Sequence, residues 1–110
     1  MATGASDDPI TLDSAALARL GTALADATRR DILLALVEGV AYPAELARTL
    51  DTTRGNISNH LACLRGCGLV RGTPEGRRMR YELVNPDLVR ALAGVVALLG
   101  PEDPSHPHLI

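Results

Sequence analysis

Apolar residues recur along this chain first at helical and then at alternating spacing. Leu17, Leu20 and Leu24 within "LDSAALARLGTALAD" predict a first helix from Leu12 to about Asp26. In "DATRRDILLALVEG" the stripe Ile32, Leu33, Leu36 and Val37 predicts a second, capped by Asp26 or Thr28 and stopped at Gly39. "YPAELARTLD" predicts a short third helix, with Pro43 in its first turn and Leu46 and Leu50 facing inward. A fourth follows over about 53–66, with Thr52 or Thr53 as its cap, Ile57, Leu61 and Leu64 as its buried face, and Gly66 and Gly68 marking its end.

After Gly68 the period changes. "LVRGT" and "RRMRYELV" alternate apolar and polar residues around "TPEG", which predicts a β-hairpin closed by a type I turn, with Pro74 second and Gly76 fourth in it. "NPDLVRALAGVVALLG" predicts a last helix capped by Asn85, whose Ala91, Ala93, Gly94 and Ala97 permit close helix–helix approach. Residues 1–11 read as a disordered segment, residues 12–99 as the folded domain, and residues 100–110, with three prolines, as a flexible tail.

Helices, a hairpin and a further helix in this order predict a mainly α fold with a small β-hairpin (α+β), a winged helix-turn-helix. Helices three and four form the helix-turn-helix, and the fourth is the recognition helix. Its outer face offers Arg54, Asn56, Ser58, Asn59 and His60, residue types that hydrogen-bond phosphates and base edges; the wing offers Arg77, Arg78 and Arg80.

Charge supports that reading. The net charge is −2, yet all 11 basic residues are arginine, and residues 54–80 hold six of them against the single acid Glu75. A basic middle in an acidic chain suits a local polyanion-binding surface on double-stranded DNA. The 110 residues make one domain with an aliphatic core, since there is no Phe or Trp and there are two Tyr. A core this small favours oligomerisation. No apolar run approaches the roughly 20 residues that span a bilayer, and the acidic N-terminus has no signal-peptide pattern, so a cytoplasmic protein is expected. No acid pair, nucleophile–base pair or phosphate-cradling glycine loop points to an enzyme.

One stretch adds chemistry. "NISNHLACLRGCGLV" ends with Cys63 and Cys67, the only two cysteines, four residues apart. Residues so spaced share a helix face with Cβ atoms about 5–6 Å apart, too wide for a disulfide's roughly 3.5–4.5 Å but suited to a metal with bonds near 2.3 Å to each sulfur. The helix C-terminus disfavours thiolate and favours a cation, which speaks against a nucleophilic cysteine. Spacing alone leaves two readings open: half a metal site, or two small apolar side chains.

"ALADATRRDILLALVEG", "PAELARTL", "NISNHLACLRGCGLV" and "EGRRMRYEL" together resemble the ArsR/SmtB family of metal-sensing repressors, over about residues 15–99. The cysteine pair is similar to that of the family's cadmium- and lead-sensing branch in actinobacteria. That resemblance implies a homodimer that binds operator DNA without metal and releases it when metal binds; the first and last helices, rich in Leu and small residues, are the expected dimer interface. It implies a metal site of Cys63, Cys67 and a donor from the other subunit's tail. The branch has a cysteine there, and an ungapped count from the shared pair places it at His108. His106 is a further candidate, and Glu102 and Asp103 are weaker ones. A histidine in place of sulfur makes the site less soft, so zinc or cobalt joins cadmium and lead as a candidate effector. Gly100 to His108 spans at most about 28 Å, enough to reach a partner subunit. Two other readings stay open: a winged-helix regulator with redox-sensing or structural cysteines, and a winged-helix module that docks to protein.

Overall fold

The computed structural model describes residues 11–105. Helices α1 (Ser14–Leu24), α2 (Ala27–Val37), α3 (Pro43–Thr49) and α4 (Arg54–Gly66) precede an antiparallel hairpin, β1 (Val70–Glu75) with β2 (Arg78–Leu83), and α5 (Leu88–Val96) follows. This is the winged helix-turn-helix that the hydrophobic pattern predicts.

Helices α1, α2 and α4 each start on an oxygen that accepts from backbone N–H groups otherwise without partners. The Asp13 carboxylate accepts from Ala15 and Ala16, the Asp26 carboxylate from Arg29, and the Thr53 hydroxyl from Asn56. Three helices end alike. At α2 the N–H of Gly39 donates to the Leu36 carbonyl and that of Val40 to Ala35; at α4 Gly68 donates to Arg65 and Leu69 to Leu64. These paired bonds are the Schellman stop, which needs a left-handed residue at its corner. Gly39 (φ 98°) and Gly68 (φ 83°) supply it without strain. At α3 the same pair runs from Asp51 to Arg48 and from Thr52 to Ala47, but the corner is Asp51 at φ 53°. The helix-turn-helix therefore pivots on a non-glycine left-handed residue, a conformation aspartate tolerates better than most.

The core joins Ala23 of α1, Ile32, Leu33 and Ala35 of α2, Leu46 and Ala47 of α3, Ile57, Leu61 and Leu64 of α4 and Val70 of β1. The α4 stripe is fully inside, as expected. In α2 the buried face runs through Ala35, and Val37, expected inward, is half exposed, because the helix ends there and its last turn passes beyond the core.

The hairpin turn differs from expectation. Glu75 pairs with Arg78, so the loop is the two residues Gly76 and Arg77. Gly76 at φ 62° fits the first position of a tight hairpin turn, which requires positive φ. Pro74 lies instead within β1 opposite Met79, where a two-stranded sheet leaves an open edge and a missing N–H costs little. Tyr81 N–H donates to the Ala41 carbonyl at 2.8 Å, which docks the wing on the α2–α3 connection.

Asn85 does not cap α5. Its Oδ1 accepts from Asp87 N–H at 2.8 Å, forming a turn before the helix, and Asp87 occupies the cap position without a side-chain bond. No residue of α5 is buried, and Val95, Val96, Leu98 and Leu99 are 59–86% exposed. In α1 only Ala23 is buried, while Leu17 is 49% exposed and Leu12, just before the helix, 71%. The first and last helices thus turn apolar side chains outward. Among the described residues no helix is long and apolar enough to cross a membrane.

Candidate nucleic-acid interface and metal site

The two ends of α4 carry different chemistry. At its N-terminal end Thr53 and Thr52 fix the entry. The Thr53 hydroxyl caps the helix, and the Thr52 hydroxyl accepts from Asn56 Nδ2 at 3.0 Å. Asn56 is therefore half-buried and held against the turn, whereas Arg54, Ser58 and Asn59 are exposed. Arg54 and Ser58, four apart, share one face. That face looks across a groove of about 270 Å³ lined by Tyr42, Pro43, Ala44, Arg54, Ser58, Arg77, Arg78, Met79 and Tyr81. Recognition helix and wing so enclose one channel with three arginines on its walls.

Both tyrosines of the chain line this channel, and sequence reasoning assigned neither. Tyr42 donates its hydroxyl to Glu75 of the wing, and the Arg78 guanidinium lies over its ring at 3.8 Å. The hydrogen bond to Glu75, with some help from burial, pushes the Tyr42 phenol above its ordinary pKa. A sequence signal existed: a chain with no Phe and no Trp keeps its two aromatic rings for one place. Gly72 faces Tyr81 across the hairpin, and a Cβ there would come within 2.9 Å of the Tyr81 ring and the Met79 methyl.

The wing arginines are not equivalent. Arg77, at the exposed tip, makes no side-chain hydrogen bond or ion pair among the described residues. Arg80 Nη1 donates to Glu82 Oε2 at 3.2 Å, and Arg71 Nε donates to Glu82 Oε1 at 2.8 Å. The Arg71 bond first, then that from Arg80, holds the Glu82 carboxyl below its usual range. The strong positive charge read over residues 54–80 is thus partly cancelled by an acid two residues beyond it.

His60, expected on the outer face with Asn59, turns the other way. Its side chain is 19% exposed and sits between α4 and the start of α2, with Nε2 3.7 Å from Asp26 Oδ2. Arg29 Nη1 donates to His60 Nδ1 at 3.3 Å. A guanidinium can only donate, so Nδ1 is the acceptor and a neutral ring carries its proton on Nε2. The same Arg29 donates through Nε to the Ala23 carbonyl and through Nη2 to Thr22, and Arg30 donates to Leu24. These arginines of "TRR" close the C-terminus of α1, where the helix dipole favours cations.

At the other end of α4, Cys63 lies in the last turn and Cys67 is the C-cap residue. Both are free thiols and half-buried. Cys67 packs on the core. Burial foremost, and then the neighbouring Cys63, pushes its thiol above the ordinary value, while Arg29 and Arg19 pull it back. The direction agrees with that expected from the helix dipole, but burial leads. A Cys67 thiol that resists ionising beside a second sulfur suits a divalent cation, which would remove the repulsion between two thiolates.

Among the described residues no group of three or more His, Cys, Asp or Glu could hold a metal ion. Cys63 and Cys67 therefore make half a site. His106 and His108, proposed from the sequence to complete it, lie outside the described residues. Asp103 accepts from both the backbone and the hydroxyl of Ser105, which lowers its pKa.

Comparison with known proteins agrees with this architecture. Residues 26–71 match the family described as bacterial regulatory protein, arsR family. Over 92 residues the chain is 56% identical to the HTH-type transcriptional regulator CmtR of Mycobacterium tuberculosis, covering 84% of this chain and 78% of that protein. The NMR structure of the cadmium metal-sensor CMTR from Mycobacterium tuberculosis has 54% sequence identity and a TM-score of 0.63, over 84% of this chain and 97% of that one. The homodimeric winged helix-turn-helix DNA-binding domain of a Mycobacterium bovis protein has 34% identity and a TM-score of 0.68, over 76% of this chain and 79% of that one. The chain belongs to the arsR family of bacterial regulatory proteins.

Proposed function

We propose that this protein is a metal-responsive transcriptional repressor. It binds operator DNA in the cytoplasm as a homodimer when metal-free, and it lets go when a soft or borderline divalent metal binds. Cadmium or lead suits the two sulfurs best; zinc or cobalt becomes competitive if an imidazole completes the set. Cys63 and Cys67 hold the metal with His108 as third donor. Arg54, Asn56, Ser58 and Asn59 of α4 and Arg77, Arg78 and Arg80 of the wing meet the DNA. The exposed apolar residues of α1 and α5 join the two subunits.

One observation carries this reading: the thiol pair and the DNA-facing groups stand on one rigid helix. Nine residues separate Arg54 from Cys63, about 14 Å along the axis at 1.5 Å per residue. DNA requires the dimer's two recognition helices about one helical turn of the duplex apart. Any ligand at the cysteine end that prefers another placement of α4 weakens DNA binding by the same factor by which DNA weakens that ligand. The 56% identity to a protein named CmtR supports the choice of effector class.

Cadmium added to the metal-free dimer in the presence of labelled operator tests this. The ultraviolet thiolate-to-cadmium absorbance and the release of operator should saturate at the same cadmium-to-subunit ratio. Cys63→Ser should abolish both. Release without thiolate absorbance, or absorbance without release, would overturn the proposal.

A further inference from the structure

Residues 54–80 hold six arginines and one acid, and that acid stands at the tip of the wing. Glu75 and Arg78 are the last pair of the hairpin and flank the loop of Gly76 and Arg77. A carboxylate among cations that meet DNA repels the same phosphates, so DNA binding by charge alone gives Glu75 no reason to be there. Its partner supplies one. Tyr42 donates its hydroxyl to Glu75, 33 residues along the chain, and carries the Arg78 guanidinium over its ring at 3.8 Å. One side chain thus grips both strands of the hairpin where they reach the tip.

The wing has little else to hold it there. From Arg71 to Arg80 no residue is buried, and only Gly72 and Met79 are half-buried. Contact with the core is confined to the base, where Val70 is inside and Tyr81 and Leu83 pack against it. A two-stranded hairpin by itself is marginally stable in water. The Tyr81 N–H, bonded to the Ala41 carbonyl at 2.8 Å, fastens the hairpin at one point. Tyr42, the next residue along, fastens it again at Arg78, about 10 Å farther up β2 at roughly 3.3 Å per residue. One point of attachment leaves a hinge, whereas two fix a direction. Tyr42 is free for this task, because it occupies the N-cap position of α3 without a side-chain capping bond. A hydrogen bond to an ionised carboxylate is also roughly twice as strong as one between neutral groups.

Resting on the DNA-binding reading above, we propose that Tyr42 and Glu75 form a clasp that aims the wing. The clasp holds the tip across the groove from Arg54, so that Arg77 and Arg78 meet the DNA alongside the recognition helix. Tyr42 is a positioning residue, and the one acid of the basic stretch is its anchor.

The wild type, Tyr42→Phe, Glu75→Ala and Glu75→Gln test this. Tyr42→Phe removes only the hydroxyl and leaves a ring under Arg78. Glu75→Ala and Glu75→Gln remove the same charge, but glutamine keeps an oxygen that accepts from Tyr42. By charge alone Tyr42→Phe should change nothing, and the two Glu75 variants should tighten DNA binding equally. The clasp separates them. Nitrogen relaxation of the metal-free dimer reads the tip, and anisotropy of a labelled duplex from the promoter of its own gene reads affinity. The Gly76 and Arg77 amides should be rigid in the wild type and in Glu75→Gln, with order parameters falling below about 0.6 in Tyr42→Phe and Glu75→Ala. A tip in place about a third of the time in each subunit lowers the affinity of a two-winged dimer about ninefold. Both variants should therefore bind at least about fourfold more weakly than the wild type, while Glu75→Gln binds at least as tightly. Thermal midpoints should agree within a few degrees, since Glu75 is exposed and Tyr42 half-buried.

A Tyr42→Phe protein with wild-type affinity, or a Glu75→Ala protein that binds as tightly as Glu75→Gln, overturns the clasp while the DNA-binding reading stands. A wild type that ignores the duplex even at low salt overturns that reading, and the clasp with it.

Discussion

Replacing Arg77 by alanine should lower the salt dependence of DNA binding far more than replacing Arg80, although both stand on the same wing. Arg77 is exposed at the tip and pairs with no acid among the described residues, whereas Arg80 shares Glu82 with Arg71. Each phosphate neutralised by a cation contributes about −0.9 to the slope of log affinity against log salt. A dimer carries two wings, so Arg77→Ala should reduce the slope by about 1.8. Between roughly 50 and 200 mM salt that difference corresponds to about a twelvefold change in relative affinity. Arg80→Ala removes a cation whose field an adjacent carboxylate already offsets, and it should cost less than half of that. Glu82→Gln should act in the opposite direction, steepening the slope and tightening binding at low salt, because it frees both Arg71 and Arg80. Anisotropy of a labelled operator across a salt series for the three variants and the wild type measures all of these. Equal slope losses for Arg77→Ala and Arg80→Ala, or an unchanged slope for Glu82→Gln, would refute the assignment of charge on the wing.

Other consequences follow from particular residues. Gly68 holds φ 83° with open space around it, so Gly68→Ala should cost about 1 kcal/mol from backbone conformation alone, and Asp51→Gly at φ 53° should shift the thermal midpoint the other way. Val96→Glu on the exposed face of α5 should convert the dimer to monomer in sedimentation, without loss of helical circular dichroism. The lowered pKa of Glu82 means that its stabilisation is complete above pH 4.5 and is lost as the pH falls through the lowered folded-state value. The stability gap between wild type and Glu82→Gln should therefore close on acidification in that window.

Much of the fold was legible because its signals are local. The caps Asp26 and Thr53, the α4 stripe and the glycine stops at Gly39 and Gly68 are each written within a few residues of where they act. The errors arose where a distant partner decides. "TPEG" is a good type I turn in isolation, but the pairing of Glu75 with Arg78 selects a two-residue loop and leaves Pro74 on an open edge. His60 has the polarity of a base-reading residue, yet Arg29 and Asp26 from α2 draw it inward. Arg80 counts as a free cation until Glu82 is seen beside it. Asn85 caps by composition but turns the chain too early to reach α5. The thiol pair was legible from its i, i+4 spacing. Its incompleteness was also legible, since two sulfurs alone leave a divalent ion's coordination unfilled.

The central claim is tested most directly by operator anisotropy against dimer concentration, without metal and with cadmium, lead, zinc or cobalt, in the wild type, Cys63→Ser and His108→Ala. The account predicts tight metal-free binding, weakened at least about tenfold by one of these metals, with both variants unresponsive. Tight binding indifferent to all four metals would contradict it, and would leave a DNA-binding protein whose cysteines serve some other purpose.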